Sequence, residues 1–232
     1  MAKLKVMCAR SMHEVVGWLA ADYGRSAGHE MGVSFGTVGA LQKRLDAGET
    51  ADVVVIATPA MDKLAQAGAV DPASRTDIAI TSVGIAVRTG APAPDVSTPE
   101  AFRQALVNAR KVAFSDAAVG GSAGVYLAKL FVDMGIADEI ARKAMPQQSG
   151  GEVATRVANG EADIGMTLIA EIVPVQGTRV LGSLPAPLGN DTTYCAAVMR
   201  ASAAPDAAAG FIAALRQPEE RSRWEAAGFT LP

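Results

Sequence analysis

The segment Ala51-Asp52-Val53-Val54-Val55-Ile56-Ala57 constrains the fold more than any other stretch. Its β-branched run shows no alternation of apolar with polar residues. It reads as a strand buried on both faces, the pattern of a parallel sheet covered by helices on either side. Pro59 follows at a helix start, where a missing N–H costs nothing. The same punctuation opens the chain. Leu4 to Ala9 reads as a strand, and Ser11 caps a helix to about Ala27 that buries Val15, Val16, Leu19, Ala20 and Tyr23. Met31 to Phe35 is a second strand, and Thr37 or Gly39 opens a helix through Leu41 and Leu45. Alternating strands and helices predict an open, right-handed, doubly wound α/β sheet. Ligands of such sheets gather at the carboxyl ends of the strands.

The stretch from Val112 to Leu127 adds chemistry to this frame. It reads as a short buried strand, a glycine-rich turn and a helix opening at Ser122, with Leu127, Leu130, Phe131 and Met134 at helical spacing. Ser122 is a good N-cap, and Gly120, Gly121 and Gly124 allow a ligand to approach bare backbone amides. A helix start carries unpaired N–H groups and the positive end of the dipole, so it suits an anion. Gln147 to Glu152 is a second glycine turn, opening a helix through Val153 and Val157. Further strands are read at Ile80 to Arg88, Lys143 to Pro146, Ala162 to Leu168, Arg179 to Leu184 and Thr192 to Met199. Helices are read from Ser97 or Thr98 to Ala109, at Pro205 to Leu215 and at Pro218 to Ala227. Arg10-Ser11, Gly36-Thr37 and the Ser122 turn thus form three candidate anion seats.

Composition removes several classes of function. The chain has 232 residues and a net charge of −3, so no basic field argues for nucleic acid or an anionic membrane. Aromatics at 5% also speak against base-stacking surfaces. No apolar run approaches the ~20 residues needed to span a bilayer. Cys8 and Cys195 lie far apart and are read as buried thiols; a disulfide requires their strands to be neighbours. With His13 and His29 unclustered, no metal site is expected. No secretory leader is visible at Met1 to Val6, which leaves a cytoplasmic chain or a periplasmic one with its leader removed.

Taken in order, Ala9-Arg10-Ser11-Met12, Phe35-Gly36-Thr37-Val38-Gly39, Leu45 to Val53, Gly121-Ser122-Ala123-Gly124-Val125-Tyr126, Asn159 to Gly165 and Ala226-Ala227-Gly228-Phe229 resemble one family. It is the molybdate-binding branch of the type II periplasmic solute-binding proteins. The resemblance implies two α/β lobes, 1–82 plus 193–232 and 83–192, that close on a ligand in a cleft. Pro185 to Asp191 would be a return crossover. It also implies that an oxyanion is held by neutral donors, with Ser11 and the Ala123 amide at matching positions and Gly151 near a third. The family's serine-rich loop is reduced here to Thr37, its tyrosine after the Ile164-Gly165 strand is replaced at Leu168, and Arg10 stands where a small residue is usual. These departures favour an organic carboxylate over molybdate, because a guanidinium grips a carboxylate bidentately.

The ligand set expected from these readings is Arg10, Ser11, Thr37, Arg88, Ser122, Ala123, Gly151 and Thr167. The function implied is capture of a small anion by a monomer, without cofactor or metal, for delivery to an ABC transporter. The alternative is an isomerase on the same scaffold, resembling aconitate isomerase, which moves a proton within a tricarboxylate. His13, Lys129, Glu152 and Glu171 are its candidate acid/base groups. Three of them also have a plainer reading: His13 points away from Ser11, Glu152 complements a helix dipole, and Glu171 is a surface residue.

Overall fold

In chain order, β1 (Lys3–Ala9) leads through a 3-10 turn, Arg10–Met12, into α1 (His13–Ala27). β2 (Glu30–Gly36), α2 (Val38–Asp46), β3 (Val53–Ala57), α3 (Thr58–Gln66) and the long β4 (Thr76–Arg88) follow. Next come α4 (Pro99–Asn108), β5 (Val112–Ser115), α5 (Ser122–Asp133), α6 (Ala137–Ala141), β6 (Ala144–Gln147) and α7 (Gly150–Ala158). β7 (Ile164–Leu168), α8 (Ile169–Ile172), β8 (Thr178–Ser183), β9 (Asp191–Val198), α9 (Pro205–Ala214) and α10 (Arg221–Ala226) complete the chain. This computed structural model describes residues 1–232. Two helix starts differ from the sequence reading. Ser11 sits inside the 3-10 turn rather than capping α1, which begins at His13. The N-cap of α5 is Gly121, and Ser122 is the first helical residue.

The chain divides into two units, Met1–Ile80 with Thr192–Pro232, and Thr81–Asp191. In the first, β2, β1 and β3 are parallel, and β9 joins β3 antiparallel with Ile56 opposite Cys195. All five residues of β3 are buried. One face of this sheet, with Met7, Val54, Ile56 and Cys195, packs on Leu41 of α2 and Met61 and Leu64 of α3. The pleat sends alternate residues, among them Cys8, to the other face. β3 lies between the two cysteine strands, so their backbones are about 10 Å apart, beyond the ~7 Å reach of a disulfide. Both thiols are free and buried. Near the chain end Trp224 is fully buried, its indole N–H donating to Leu215 O at 3.0 Å, with Phe229 edge-on. Trp18 is exposed, and the Arg223 guanidinium lies 3.3 Å from its ring centre.

In the second unit β6, β5 and β7 are parallel, whereas β4 runs antiparallel to both β7 and β8. The sheets are therefore mixed rather than wholly parallel. β4 and β9 carry the chain between units without a helical crossover, and only such a crossover returns a strand parallel. α5 covers one face, with Phe131 edge-on to Phe114 at 5.2 Å. α7 covers the other, through Val153 and Val157 against Ala86 and Ala113. No helix is long and apolar enough to cross a membrane.

Candidate anion-binding site

In the first unit the register pairs Ala9 with Gly36 and Ala57 with Tyr194. Arg10, Ser11, Thr37, Thr58 and Tyr194 consequently emerge along the carboxyl edge of the parallel strands. Ser11 Oγ donates to the buried Tyr194 hydroxyl at 2.8 Å, tying the 3-10 turn to β9. Thr37 caps α2, its Oγ1 accepting the Ala40 N–H at 3.2 Å. Thr58 Oγ1 donates to Thr193 O at 3.2 Å. Arg10 is exposed, and its guanidinium has no protein counter-ion. This edge therefore offers hydroxyls in fixed positions beside one uncommitted cation. His13 lies on α1, exposed, its ring edge-on to Phe35 at 6.1 Å.

The second unit builds a corresponding edge from β5, β7, α5 and α7. Phe114 pairs with Met166, so the next residues, Ser115 and Thr167, stand side by side on the α7 face. Ser115 Oγ and Thr167 Oγ1 are 2.9 Å apart, and Thr167 Oγ1 donates to Glu171 Oε2 at 2.7 Å. Thr167 is fully buried and Ser115 nearly so. A Cβ on Gly150 would overlap both the Glu171 carboxylate and the Thr167 hydroxyl, so the glycine is what lets this chain of polar groups lie against the start of α7. Glu171 is half-buried and hydrogen-bonded, unlike the surface residue read from the sequence. Ser115 was missed there, because it reads as the last residue of a buried strand. Only the β5–β7 register reveals its neighbour.

The glycines at the two helix starts separate by role. Gly121 and Gly151 face open space, whereas a Cβ on Gly124 would stand 2.7 Å from the carbonyl oxygens of Ser115 and Asp116. Gly124 thus lets α5 pack onto the end of β5. In α5 the first N–H to bond back along the helix is that of Val125, on Gly121 O, and the amides of Ser122 and Ala123 precede it. In α7, Ser149 Oγ accepts from Glu152 N and Glu152 accepts from Gln148 N, a reciprocal cap that commits Glu152 to structure. Lys129 is exposed and paired with Asp133 on α5.

Arg88 is not brought to this edge. Because β4 is antiparallel to β7, with Gly84 opposite Thr167, Arg88 lies four residues farther down the strand, about 14 Å from that pair. The groups assembled at the carboxyl edge of the second unit are therefore Ser115, Thr167, Glu171 and the helix starts at Ser122 and Gly150. None of the His, Cys, Asp and Glu side chains form a group able to hold a metal ion.

Comparison with known proteins agrees with this architecture. The sequence profile of the bacterial extracellular solute-binding proteins matches residues 4–230. Aconitate isomerase of a Pseudomonas species is 36% identical over 192 residues, covering 82% of this chain and 71% of that protein. The molybdate-binding protein of Escherichia coli K12 is 23% identical over 205 residues, 85% of this chain and 77% of the other. Among solved structures, the periplasmic molybdate-binding protein of Azotobacter vinelandii superposes with a TM-score of 0.79 at 22% identity, covering 99% of both chains. The profile match spans the strands, both glycine turns and the closing helices alike, and the chain belongs to the bacterial extracellular solute-binding proteins, type II, in their molybdate-binding-like branch.

Proposed function

We propose that this protein captures a small tricarboxylate of the aconitate class by closure of two lobes, acting as a monomer. The observation that carries this reading is Arg10, an exposed guanidinium without a protein counter-ion, directly after β1 and beside the Ser11 hydroxyl. A fixed set of neutral donors suits a compact oxyanion, whereas a free guanidinium at the same edge favours a carboxylate. The 36% identity to an aconitate isomerase supports the same ligand class. Ser11, Thr37 and Arg10 would hold one end of the ligand, and the amides at Ser122, Ala123 and Gly151 the other. Contacts made only in the closed state would stabilise closure. Delivery to an ABC transporter is the role that follows for a member of this family.

The test is a calorimetric panel of trans-aconitate, cis-aconitate, citrate, molybdate, tungstate and sulfate. Tricarboxylates should bind saturably and raise the melting temperature with concentration. Tighter binding of molybdate than of every carboxylate would sink the proposal.

Glu171 favours a second reading, catalysis. A receptor for anions gains nothing from a carboxylate beside a helix start, but a proton shift needs one. Glu171 would take a proton from the methylene carbon next to a ligand carboxyl group. The electron pair would delocalise into that carboxyl, stabilised by the helix-start amides, and the proton would return to the far carbon of the allylic system. The sum is an isomerisation with no redox change. Thr167, held by Ser115, would keep the carboxylate oriented. Incubation with trans-aconitate, following cis-aconitate by chromatography, separates the readings. Conversion that Glu171→Gln abolishes while binding persists supports catalysis; saturable binding with no conversion leaves capture alone.

A further inference from the structure

The second unit holds a groove of about 860 Å³ at the amino edge of its parallel strands, the edge away from Thr167. Its walls are the Ala91–Asp95 connection, the Ala101 and Ala105 face of α4, and the Gly160 turn before β7. That volume lies within the range of small-molecule sites, and its lining mixes alanines and prolines with amide and charged side chains. Arg88 enters the groove from the end of β4, lying so close to the Gly160 backbone that a Cβ there would stand 3.4 Å from its Nη1. Its guanidinium has no protein counter-ion.

Of the other charges in the groove, those of Arg110 and Asp163 offset each other. Arg110 grips Asp163 with Nη2 to Oδ1 at 2.7 Å and Nε to Oδ2 at 3.2 Å, and its own N–H adds a third bond to Oδ2. The Asp95 carboxylate is turned onto the Ser97 N–H at 2.9 Å. One guanidinium is left to meet a ligand, among the alanines of α4 and the amides of Gln104, Asn108 and Asn159.

We infer that this groove is a second ligand site, for a small monocarboxylate with an apolar body such as an aromatic or short acyl group. Arg88 would take the carboxylate through its two-pronged edge, and Ala101 and Ala105 would take the apolar part. A tricarboxylate would bring two further charges toward the Asp95 and Asp163 carboxylates and should bind more weakly. The site belongs to the second unit, whereas Arg10 belongs to the first.

The test uses benzoate as the probe, titrated into uniformly ¹⁵N-labelled full-length protein. Saturable amide shifts should cluster at Ala105, Gly160 and Ile164. Arg88→Gln should weaken benzoate about tenfold or more, the loss expected for a charge-assisted contact. Ala105→Leu, which narrows the groove without harming helix propensity, should weaken it as well, and Arg10→Ala should not. Shifts centred elsewhere, unchanged affinity in Arg88→Gln, or loss of benzoate in Arg10→Ala would each overturn the assignment. Benzyl alcohol binding as tightly as benzoate would also overturn it, since the guanidinium would then have no part.

Discussion

At the scale of the residue, the polar chain Ser115–Thr167–Glu171 matters most, because burial raises the consequence of breaking it. Thr167→Val keeps volume but removes the hydroxyl that both neighbours use. Urea denaturation should show a loss of about 1–3 kcal/mol, the cost of leaving a buried group unsatisfied, and Thr167→Ser should recover most of it. Arg10 makes the opposite kind of prediction. Exposed and unpaired, it contributes little to folding, so Arg10→Ala should fold as the parent does. It should weaken trans-aconitate by about 1.5–3 kcal/mol and molybdate by less, both read by calorimetry. Thr167 was legible in the sequence as a polar residue near the end of a buried strand, whereas Glu171 was read most simply as a surface residue. Arg88 was misplaced because a buried strand looks alike whether it runs parallel or antiparallel. The direction of β4 is decided by its partner, which no local pattern encodes.

At the scale of the element, glycine-rich helix starts carry two demands that composition alone does not separate. Gly124 lets α5 pack onto β5, and Gly121 leaves open the space ahead of the first amides. Gly124→Ala should therefore lose roughly 1–3 kcal/mol in denaturation, as overpacking does. Gly121→Ser should keep full stability, since serine is the better N-cap, yet reduce tricarboxylate affinity by crowding the amides. If the two variants behaved alike, the division of roles would be wrong. Most elements were readable, because β3 is an unbroken apolar run and helices such as α1 and α4 are long and strongly patterned. The five-residue α6 was not read, being too short to show a period. The mixed direction of the sheets was also missed, since a strand passing between units obeys topology and not propensity.

At the scale of the whole molecule, the carboxyls with depressed pKa are unevenly placed. In the second unit, hydrogen bonds from Arg110 hold the Asp163 carboxyl below its ordinary value of 3.8. Asn159 and Arg156 lower Glu161, and Arg142 and Lys143 lower Glu139, from the ordinary 4.5. In the first unit Glu49 is lowered by Arg44. A carboxyl whose folded pKa is depressed contributes stability above its unfolded pKa and loses it as pH falls through the folded value. Stability should be level at neutral pH and decline below about pH 4, with the second unit affected first. Asp163→Asn should flatten that decline, measured by circular dichroism across an acid titration; an unchanged slope would show the pair to be fully screened by solvent.

The placement of Trp18, Trp224, Cys8 and Cys195 has a consequence for anyone who follows this protein by its own labels. All four belong to the first unit, and Thr81–Asp191 contains neither tryptophan nor cysteine. Burial pushes both thiols upward in pKa, so a thiol reagent registers only the opening of β1 or β9. Indole emission and thiol labelling are thus blind to half of the chain, and their agreement with each other is no proof of concerted unfolding. An acid transition that begins around Asp163 would pass unseen in fluorescence while the amide signal had already moved. A reporter at Tyr126→Trp, on a helix of the silent half, would make the two halves separately visible.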